Sequence, residues 1–296
     1  MRGWRTLLLA GLLALGAIGL WAFWIEPDSL RVGEYRIAVP RWPEGAPLRI
    51  ALLSDLHVGS PYNGPDKLRA IVRRTNGAEP QIILLAGDYV IHGVLFGAFV
   101  TPEDTAAILR DLKAPLGVYA VLGNHDYSFN APRIAQALRG AGIRVLEDEG
   151  VRFGGPGAPG EDGSAGGAGA PVAVPSFWLV GVSDLLHGPH DLHKALAQVT
   201  DEAPVILMTH NPDLFPEIPA RVGLTLAGHT HGGQVFLPLL GRPIVPSRFG
   251  DRYAAGIVVE RGRSLFVTTG LGTSIVPVRF RVPPEISLLT LVPAGS

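Results

Sequence analysis

Short apolar runs that end at polar residues constrain the fold of this chain most strongly. Residues 48–54, 82–86 and 118–122 are runs of this kind, and an acid or an asparagine follows each of them. Apolar runs of this length between turn residues predict buried strands. Segments with helical signals separate them, so the order of elements predicts an α/β domain with parallel strands. In such a domain the polar residues at the carboxyl ends of the strands meet at one edge.

Two helices and several later strands complete this interpretation. We expect helices over residues 65–77, which open with Pro65, and over residues 101–112, where Thr101 is a candidate N-cap. Residues 154–175 are almost entirely Gly, Ala and Pro, a composition that predicts a flexible surface loop. Further strands are predicted at residues 151–153, 177–182, 205–208, 224–227, 257–260, 265–268 and 286–291.

The amino terminus carries an unbroken apolar stretch at residues 7–25. A helix rises by about 1.5 Å per residue, so a helix of this length covers the hydrocarbon core of a bilayer. Arginines precede the stretch and acids follow it, which by the positive-inside tendency predicts an extracytoplasmic catalytic domain. The alternative is a cleaved signal peptide, but Trp21, Phe23 and Trp24 stand where a cleavage site needs small residues. We therefore expect a single-pass anchor in the cell membrane.

The domain organisation follows from these patterns. Residues 1–26 are predicted to form the transmembrane anchor or signal segment, residues 27–47 a linker, and residues 48–292 one catalytic domain. The formal net charge of -1 and the lack of a basic run argue against a nucleic-acid partner. Cysteine is absent, so any metal ion must be bound by oxygen and imidazole ligands.

Polar pairs at the strand ends are candidate metal ligands. Asp55 and His57 are two residues apart, so on a strand their side chains point the same way and can bind one ion. Taken alone, a D-x-H pair is more often a surface coincidence than a site. The pair Gly87-Asp88 is equally weak evidence of a site when taken alone, because the acid can simply cap the following turn. The whole set of such motifs, in its order along the chain, is far more specific.

Five blocks of the sequence resemble the five signature blocks of the calcineurin-like metallophosphoesterases. The resemblance covers nearly all of residues 48–292, and it implies a four-layer α/β sandwich of two mixed β-sheets flanked by α-helices, behind the N-terminal transmembrane helix. Within the family, the chain is similar to the small membrane-associated bacterial branch. The blocks are Asp55-Leu56-His57, Gly87-Asp88, Gly123-Asn124-His125-Asp126, Thr209-His210-Asn211 and Gly228-His229-Thr230-His231.

The resemblance implies a hydrolase of phosphate esters or pyrophosphates with two divalent metal ions. A ligand set of oxygen and nitrogen atoms suits Mn, Fe, Zn or Co better than Mg or Ca, and we favour Mn. Asp88 would bridge the ions because a carboxylate offers two anionic acceptor atoms. By the resemblance, Asp55, His57 and His231 hold one ion, and Asn124, His210 and His229 hold the other.

Catalysis is expected to involve His125 and Asp126. Two ions about 3.5 to 4 Å apart lower the pKa of a bridging water, so that a metal-bridging hydroxide attacks the phosphorus atom. By the resemblance, His125 protonates the leaving-group oxygen or stabilises the transition state, and Asp126 orients the imidazole. The alternative for His125 is a turn histidine that serves packing. Outside the five blocks stand His92, His187, His190 and His193, which we leave out of the metal centre.

Two apolar stretches, at residues 89–100 and 235–245, begin directly after metal-ligand blocks. They predict either an apolar groove for a lipid-linked phosphate or ordinary core packing. Arg242 and Arg248 are candidate phosphate contacts, with surface ion pairing as the alternative. The nearest branch favours UDP-2,3-diacylglucosamine as substrate. A nucleotide-linked sugar is cytoplasmic, so either this substrate or the extracytoplasmic orientation is wrong.

Three other functions were weighed against this hypothesis. A broad-specificity phosphodiesterase or phosphomonoesterase that acts on soluble substrates remains open. A metallo-β-lactamase-like enzyme needs H-x-H-x-D-H, but Gly232 and Gly233 follow His231, which excludes it. A non-catalytic protein with metal ions as a structural staple does not explain His125 among the ligands. The predicted partners are the lipid bilayer and a phosphorylated, lipid-linked small molecule, and no signal predicts a protein partner.

Overall fold

The computed structural model describes residues 2–91, 93–154 and 175–295. The loop predicted at residues 154–175 therefore lies almost entirely outside the described residues. The helices are α1 (Arg2–Leu20), α2 (Glu26–Asp28), α3 (Pro65–Gly77), α4 (Pro102–Leu109), α5 (Asn124–Phe129), α6 (Ala131–Gly140) and α7 (Leu192–Ala197). The strands are β1 (Arg31–Val39), β2 (Leu48–Leu53), β3 (Ile82–Leu85), β4 (Val118–Ala120), β5 (Arg144–Val145), β6 (Glu149–Phe153), β7 (Phe177–Gly181), β8 (Val205–Met208), β9 (Leu224–Ala227), β10 (Gly256–Glu260), β11 (Arg263–Val267) and β12 (Glu285–Pro293).

The strands form two mixed six-stranded sheets. The first has the order β1-β12-β2-β3-β4-β5 and the second has the order β10-β11-β9-β8-β7-β6. In the first sheet β2, β3, β4 and β5 are parallel neighbours, and in the second β7, β8, β9 and β11 are parallel neighbours. Their carboxyl ends supply one edge in each sheet for polar residues, as expected for parallel α/β sheets.

Each sheet is buried on both faces, which explains the continuous apolar runs of its strands. In β2, Ala51 and Leu53 belong to a core cluster with helices α3, α4 and α6, whereas Ile50 and Leu52 belong to the cluster between the sheets. The second sheet carries a third cluster on its outer face, formed with α7 and the 3-10 helix Pro212–Glu217. The order of layers is thus helix, sheet, sheet, helix, and the predicted four-layer sandwich is confirmed.

The interpretation of residues 27–47 as a linker is wrong for the segment that forms β1. This strand pairs in parallel with β12 from Arg31↔Glu285 to Val39↔Pro293 at the edge of the first sheet. Its exposed and buried residues alternate, as in a half-buried edge strand. The polar residues in Arg31–Val39 hide this alternation from a search for continuous apolar runs, which is why the sequence analysis missed the strand.

The amino-terminal helix runs through α1, the π-helical segment Trp21–Ile25 and α2. Its segment Trp4–Asp28 is long and apolar enough to cross a membrane, and almost none of it is buried by the domain. Only its end packs on the domain, where Ala22 and Glu26 are buried. The backbone N–H of Arg279 donates to the carbonyl oxygen of Ala22 at 2.9 Å. The helix therefore projects away from a base that is firmly attached to the domain.

Candidate metal centre

Both sheets deliver polar side chains from the ends of their parallel strands to one place. The first sheet contributes the residues that follow β2, β3 and β4, and the second contributes those that follow β8 and β9. All seven predicted metal ligands meet here, most of them fully buried. They are Asp55, His57, Asp88, Asn124, His210, His229 and His231.

Three of these residues form a compact group on one side of the site. The ligand atoms of Asp55, His57 and His231 all lie within 4.8 Å of one another. Nε2 of His231 is 3.4 Å from Oδ1 of Asp55 and 3.2 Å from Nε2 of His57. These are the three residues that the resemblance assigns to one ion.

A second group lies on the other side. Oδ1 of Asn124 is 3.1 Å from Nε2 of His210 and 2.9 Å from Nδ1 of His229. The two imidazoles approach each other to 3.3 Å through the same nitrogen atoms. The three residues assigned to the other ion are therefore also together.

Asp88 lies between the two groups. Its Oδ2 atom is 3.6 Å from Nε2 of His57 in the first group and 3.2 Å from Nε2 of His210 in the second. Its Oδ1 atom accepts a hydrogen bond from the backbone N–H of His125 at 2.9 Å. The imidazole of His125 stands beside it, with Nε2 4.0 Å from Oδ2 of Asp88. The side chain of His125 is partly exposed, so it lines the opening of the site.

Five of the seven ligands have a left-handed backbone, a conformation that non-glycine residues adopt rarely. Such conformations cost free energy and concentrate at functional sites, where the surrounding structure enforces them. Here the loops hold one another: the N–H of His57 donates to the carbonyl of Asp88 at 3.0 Å, and that of Asp55 donates to Gly87 at 2.9 Å. The φ angles are +53° at Asp55, +38° at His57, +59° at Asp88, +70° at His229 and +51° at His231.

Two glycines of the signature blocks have a structural task that the sequence analysis did not assign. A Cβ atom on Gly123 would lie 2.2 Å from Oδ1 of Asp88. A Cβ atom on Gly228 would lie 1.9 Å from Oγ of Ser54 and 2.6 Å from Oδ2 of Asp55. Only glycine permits these approaches between the loops. The signal was present in the sequence, because both glycines directly precede a predicted ligand.

Asp126 occupies a different place from the predicted one. Its Oδ2 atom accepts hydrogen bonds from the backbone N–H groups of Asp88 at 2.8 Å and Gly123 at 2.9 Å. Its Oδ1 atom accepts one from the N–H of Tyr89 at 2.9 Å. Both carboxylate oxygens are thus directed at the backbone around Asp88. The prediction that Asp126 orients the His125 ring is corrected: it holds the loop that presents Asp88.

Burial controls the protonation of most ligands. Burial lowers the pKa of His57 to about 4 and the pKa of His229 to about 3. The pKa of His231 falls well below its usual value for the same reason. Burial also raises the pKa of Asp55 to about 6. Neutral imidazoles are the form that binds metal ions, so burial prepares these three histidines as ligands.

Asp88 and His210 form an ion pair in the absence of metal. Burial opposes charge on both residues, but the attraction between them outweighs it. The pKa of the Asp88 carboxyl is therefore held well below its usual value, and the pKa of His210 is raised well above its own. A divalent cation between them would replace the proton on His210 as the partner of the carboxylate.

The donor set and its orientation fit divalent metal ions. Nδ1 of His57 lies 3.2 Å from the carbonyl oxygen of Val90, and Nδ1 of His210 lies 2.7 Å from that of Ala86. Because a carbonyl oxygen only accepts, Nδ1 carries the hydrogen and Nε2 is left as the metal-binding atom. In both rings Nε2 faces the carboxylate of Asp88. Imidazole nitrogens, carboxylates and one amide oxygen suit a transition-metal ion.

The two arginines predicted as phosphate contacts differ in their surroundings. Arg248 donates to the backbone oxygen of Asp213 at 2.9 Å and pairs with Glu217 at 3.4 Å. The surface ion pair that was the alternative is therefore present, and the role of Arg248 as a substrate contact stays a prediction. Arg242 lies with its guanidinium 5.1 Å from the ring centre of Phe236, and its Cβ is 3.3 Å from the Cβ position of Gly233, close to ligand His231.

The histidines left out of the centre are placed elsewhere where they are described. His187, His190 and His193 are exposed residues around the start of α7. His92 lies outside the described residues. The two apolar stretches are divided: Tyr89 and Val90 belong to the core, as the packing alternative predicts. The later residues of these stretches are largely exposed, among them Phe96, Leu239 and Ile244.

Comparison with known proteins agrees with this geometry. The chain is 29% identical over 293 residues to an uncharacterized metallophosphoesterase, YkuE, of Bacillus subtilis, covering 98% of this chain and 96% of that protein. It is 30% identical over 275 residues to the phosphodiesterase YaeI of Escherichia coli, covering 90% of each. It is 27% identical over 308 residues to the UDP-2,3-diacylglucosamine pyrophosphatase LpxG of Chlamydia trachomatis, covering 91% of this chain and 92% of that protein.

A family model gives the same result. The model described as calcineurin-like phosphoesterase matches residues 48–239, which hold all five signature blocks. This range covers more than half of the chain and contains the ends of the five strands that carry the ligands. With two mixed sheets flanked by helices and a cluster of side chains that could bind metal ions at their strand ends, this chain belongs to the calcineurin-like phosphoesterase family and is a phosphoester hydrolase.

Proposed function

We propose that this chain hydrolyses a phosphodiester or pyrophosphate bond of a lipid-linked substrate with two divalent transition-metal ions. The observation that carries the proposal is the position of Asp88, whose carboxylate stands between two separate groups of ligands. A single carboxylate shared by two groups is the arrangement that a pair of adjacent ions requires. A metal ion that only stabilised the fold would not need this second group of ligands.

The ligand roles follow from the two groups. When bound, the two ions activate a water molecule and neutralise charge on the phosphoryl group. Asp55, His57 and His231 would hold one ion, with Asn124, His210 and His229 on the other and Asp88 on both. The left-handed backbone at five of these seven residues keeps their donor atoms in place before the ions arrive, so little reorganisation remains at binding. Manganese is our first choice, with Fe, Zn and Co as the other candidates.

His125 would assist the departure of the leaving group. Its imidazole stands beside Asp88 and is partly exposed, which leaves it accessible to a substrate in the opening. When the phosphorus–oxygen bond breaks, the leaving oxygen gains an electron pair and needs a proton. An imidazolium at this position can donate that proton or stabilise the developing charge. Arg242, at the edge of the site, is the proposed contact for a phosphate oxygen of the substrate.

The lipid-linked substrate is favoured by the surroundings of the site. Exposed apolar side chains lie in the stretches that follow Asp88 and His231, and the apolar helix of Trp4–Asp28 is attached to the same domain. One relative is named as a UDP-2,3-diacylglucosamine pyrophosphatase, so this compound is the first candidate. The nucleotide part of that compound is cytoplasmic, whereas the arginine bias of the helix predicts an extracytoplasmic domain. A lipid-linked phosphate of the outer leaflet is therefore the second candidate.

A broad-specificity phosphodiesterase for soluble compounds is the alternative function. The name of the relative YaeI, a phosphodiesterase, favours it because the name specifies no lipid. The two functions share the metal centre and differ in whether the hydrolysed compound carries a lipid. A panel of lipid diphosphates and soluble diesters, tested on the full-length protein, separates them. Hydrolysis of the soluble compounds alone would reject the lipid proposal.

The catalytic roles are tested with three variants of the full-length protein. We expect Asp88→Asn to lose bound metal together with activity. His125→Ala should keep its metal content and lose activity by about 10² to 10⁴-fold with a poor leaving group. With a nitrophenyl ester, whose nitrophenolate leaving group needs no proton, the loss of activity should be much smaller. His193→Ala, at an exposed histidine outside the centre, is the matched control. Equal losses with both leaving groups would remove His125 as the acid.

A further inference from the structure

Five large apolar side chains are exposed on the protein surface beside the candidate metal centre. Their exposed fractions are far above those of the core residues on the same loops, and we call this group the apolar rim. Single exposed apolar residues are ordinary on protein surfaces, but a group of them around a functional site marks an interaction surface. The rim consists of Phe96 (83% exposed), Leu239 (105%), Leu240 (77%), Ile244 (78%) and Ile275 (70%).

One segment of backbone, residues 274–282, connects the loops that carry the rim. Its Ile275 carbonyl accepts a hydrogen bond from the N–H of Leu95 at 2.8 Å, next to Phe96. The side chain of Gln234 donates to the carbonyls of Ser274 at 3.1 Å and Val276 at 3.2 Å. Gln234 opens the loop whose turn carries Leu239 and Leu240. The rim therefore belongs to one continuous surface although its residues come from three loops.

The same segment holds the base of the apolar helix. The N–H of Arg279 donates to the carbonyl of Ala22 at 2.9 Å, and the N–H of Val282 donates to the carboxylate of Glu26 at 2.5 Å. The guanidinium of Arg279 is fully buried and donates to the carbonyls of Val282 at 2.8 Å and Thr269 at 3.0 Å. The base of the helix and the loops of the rim thus share one supporting segment.

Aromatic residues mark the level of a membrane interface at this base. Trp21, Phe23 and Trp24 lie at the domain end of the apolar helix and are about half exposed. Tryptophan is enriched where a transmembrane helix meets the headgroups. The ring of Trp24 approaches that of Tyr62, on the loop after ligand His57, with centroids 6.1 Å apart. A bilayer that surrounds the helix up to these residues would reach the loops of the metal centre.

Two arginine side chains, those of Arg242 and Arg281, lie near the apolar rim. The guanidinium groups of Arg242 and Arg281 lie 5.1 Å and 5.8 Å from the ring centre of Phe236. Arginine next to an aromatic ring at an interface places its charge among lipid phosphates while its stem covers apolar surface. The rim and these arginines together have the composition of a surface that enters the headgroup region of a bilayer.

We propose that the apolar rim inserts into the lipid bilayer beside the helix, so that the metal centre opens directly onto the membrane surface. The bilayer is the occupant because the rim shares its supporting segment with the base of the membrane helix. A single transmembrane helix can still tilt and rotate in the bilayer together with its domain, whereas insertion of the rim would fix one orientation. Insertion of the rim does not depend on which phosphate ester is hydrolysed.

Site-directed fluorescence tests the proposal on the full-length protein. The chain has no cysteine, so single cysteines can be labelled without a background. Phe96→Cys, Leu239→Cys and Ile275→Cys, labelled with an environment-sensitive dye, are placed in phosphatidylglycerol and phosphatidylethanolamine vesicles at a low protein-to-lipid ratio. Val259→Cys is the matched control, since Val259 is 66% exposed and pairs with Ser264, at the end of its sheet away from the ligands.

The three rim labels should shift to the blue and be quenched several-fold more by nitroxide lipids than by aqueous iodide. The label at Val259 should show the opposite preference. Equal iodide quenching at all four positions would overturn the proposal. Protection of the rim labels that appears only at high protein-to-lipid ratio would also overturn it, in favour of a contact between two copies of the chain.

An activity measurement separates this proposal from the proposed function. We expect the double variant Leu239→Asp with Leu240→Asp to raise KM about tenfold for a phosphodiester embedded in vesicles, with kcat and the KM for a soluble diester unchanged. If no lipid-borne compound is hydrolysed at all, the lipid-substrate proposal fails, while the fluorescence result still decides whether the rim inserts. An unchanged KM for the substrate in vesicles, together with labels that remain exposed to water, would reject the proposal that the rim inserts into the bilayer.

Discussion

At the scale of single residues, the site depends as much on residues without side chains as on its ligands. The predicted ligand loops cross so closely that a Cβ atom on Gly123 would clash with the carboxylate of Asp88, and one on Gly228 with that of Asp55. Gly123 has φ -99°, which any residue adopts, so its requirement for glycine comes from the neighbouring carboxylate and not from its own backbone. A methyl group at residue 123 would therefore disturb Asp88, the carboxylate that lies between the two groups of predicted ligands.

We expect Gly123→Ala to bind metal about 10 to 100-fold more weakly, because the new Cβ would lie too close to both the carboxylate and the backbone nitrogen of Asp88. Metal titration of the purified apoprotein measures this affinity, and circular dichroism verifies the fold. Gly140→Ala is the matched control, since nothing lies within 4 Å of a Cβ at that position. Metal affinity equal to that of the control would show that the loop yields to the methyl group.

Metal affinity is expected to rise with pH, in two stages. Metal binding displaces the proton of His210, whose pKa Asp88 raises well above its usual value even though burial opposes this charge. At pH 7 the protein should therefore release one proton, in addition to the proton lost by the water that the ions activate. Burial raises the pKa of Asp55 to about 6, so below pH 6 this carboxyl releases a second proton and the affinity falls more steeply.

Calorimetry of metal binding in buffers with different ionisation enthalpies counts these protons. His57 and His229 should not contribute above pH 5, because burial lowers their pKa values to about 4 and about 3. Release of three or more protons from the protein near pH 6, beyond the one from the activated water, would mean that these buried histidines titrate at ordinary values. Release of none at pH 7 would contradict the ion pair of His210 with Asp88.

At the scale of helices and strands, the sequence predicts the start of a helix correctly where a residue of the chain itself caps that end. Helix α4 begins after Thr101, whose hydroxyl oxygen accepts a hydrogen bond from the N–H of Asp104 at 3.1 Å. Pro102 occupies the first helical position, where no N–H is needed. The predicted start of this helix is confirmed, whereas its last turn ends at Leu109 instead of residue 112.

Removal of this cap should destabilise the protein without affecting the site. We expect Thr101→Ala to lower the free energy of unfolding by about 1 kcal/mol, because the N–H of Asp104 loses its acceptor. Urea unfolding of the detergent-solubilised protein measures the change. Thr101→Ser keeps the hydroxyl and is the control. A loss as large in the serine variant would locate the effect in the methyl group and its packing.

At the scale of the whole molecule, the domain and its apolar helix form one body at the helix base. The buried Glu26 and Arg279 join the end of the helix to the segment that also supports the loops around the metal centre. Arg279 reaches back to Thr269, next to Gly270, whose Cβ position lies 2.8 Å from Cβ of Asp55. The anchor, the rim and one metal ligand are thus linked by contacts through a single loop.

The whole chain should behave as an integral membrane protein. We expect it to stay in the membrane pellet after washes with high salt and with alkaline carbonate, and to be released by detergent, because the exposed helix Trp4–Asp28 can cross a bilayer. The amino-terminal sequence of the extracted protein is the second measurement. Release by carbonate, or a mature protein that begins after residue 25, would identify the segment as a cleaved signal peptide.

While the four-layer architecture came from the family resemblance, the sequence alone determined the α/β class, the positions of most buried strands along the chain and the identity of the side chains that follow them. These properties are encoded locally, because a buried strand needs a continuous apolar run and the ligands follow directly at its end. Strand β1 escaped this reasoning because only one of its faces is buried. The two-ion assignment of the ligands stays a prediction, although the side chains lie together as it requires.

The tertiary structure decided which side chains touch across the two sheets. Asp126 follows His125 in the chain, yet its carboxylate is bonded to the backbone of Asp88 and Tyr89, more than thirty positions away. Arg248 is similarly bound by Asp213 and Glu217, two residues more than thirty positions before it. Likewise, the docking of the helix base beside the rim depends on contacts between Ala22 and Arg279. Such contacts depend on how separate elements pack together, and no local pattern of residues encodes that packing.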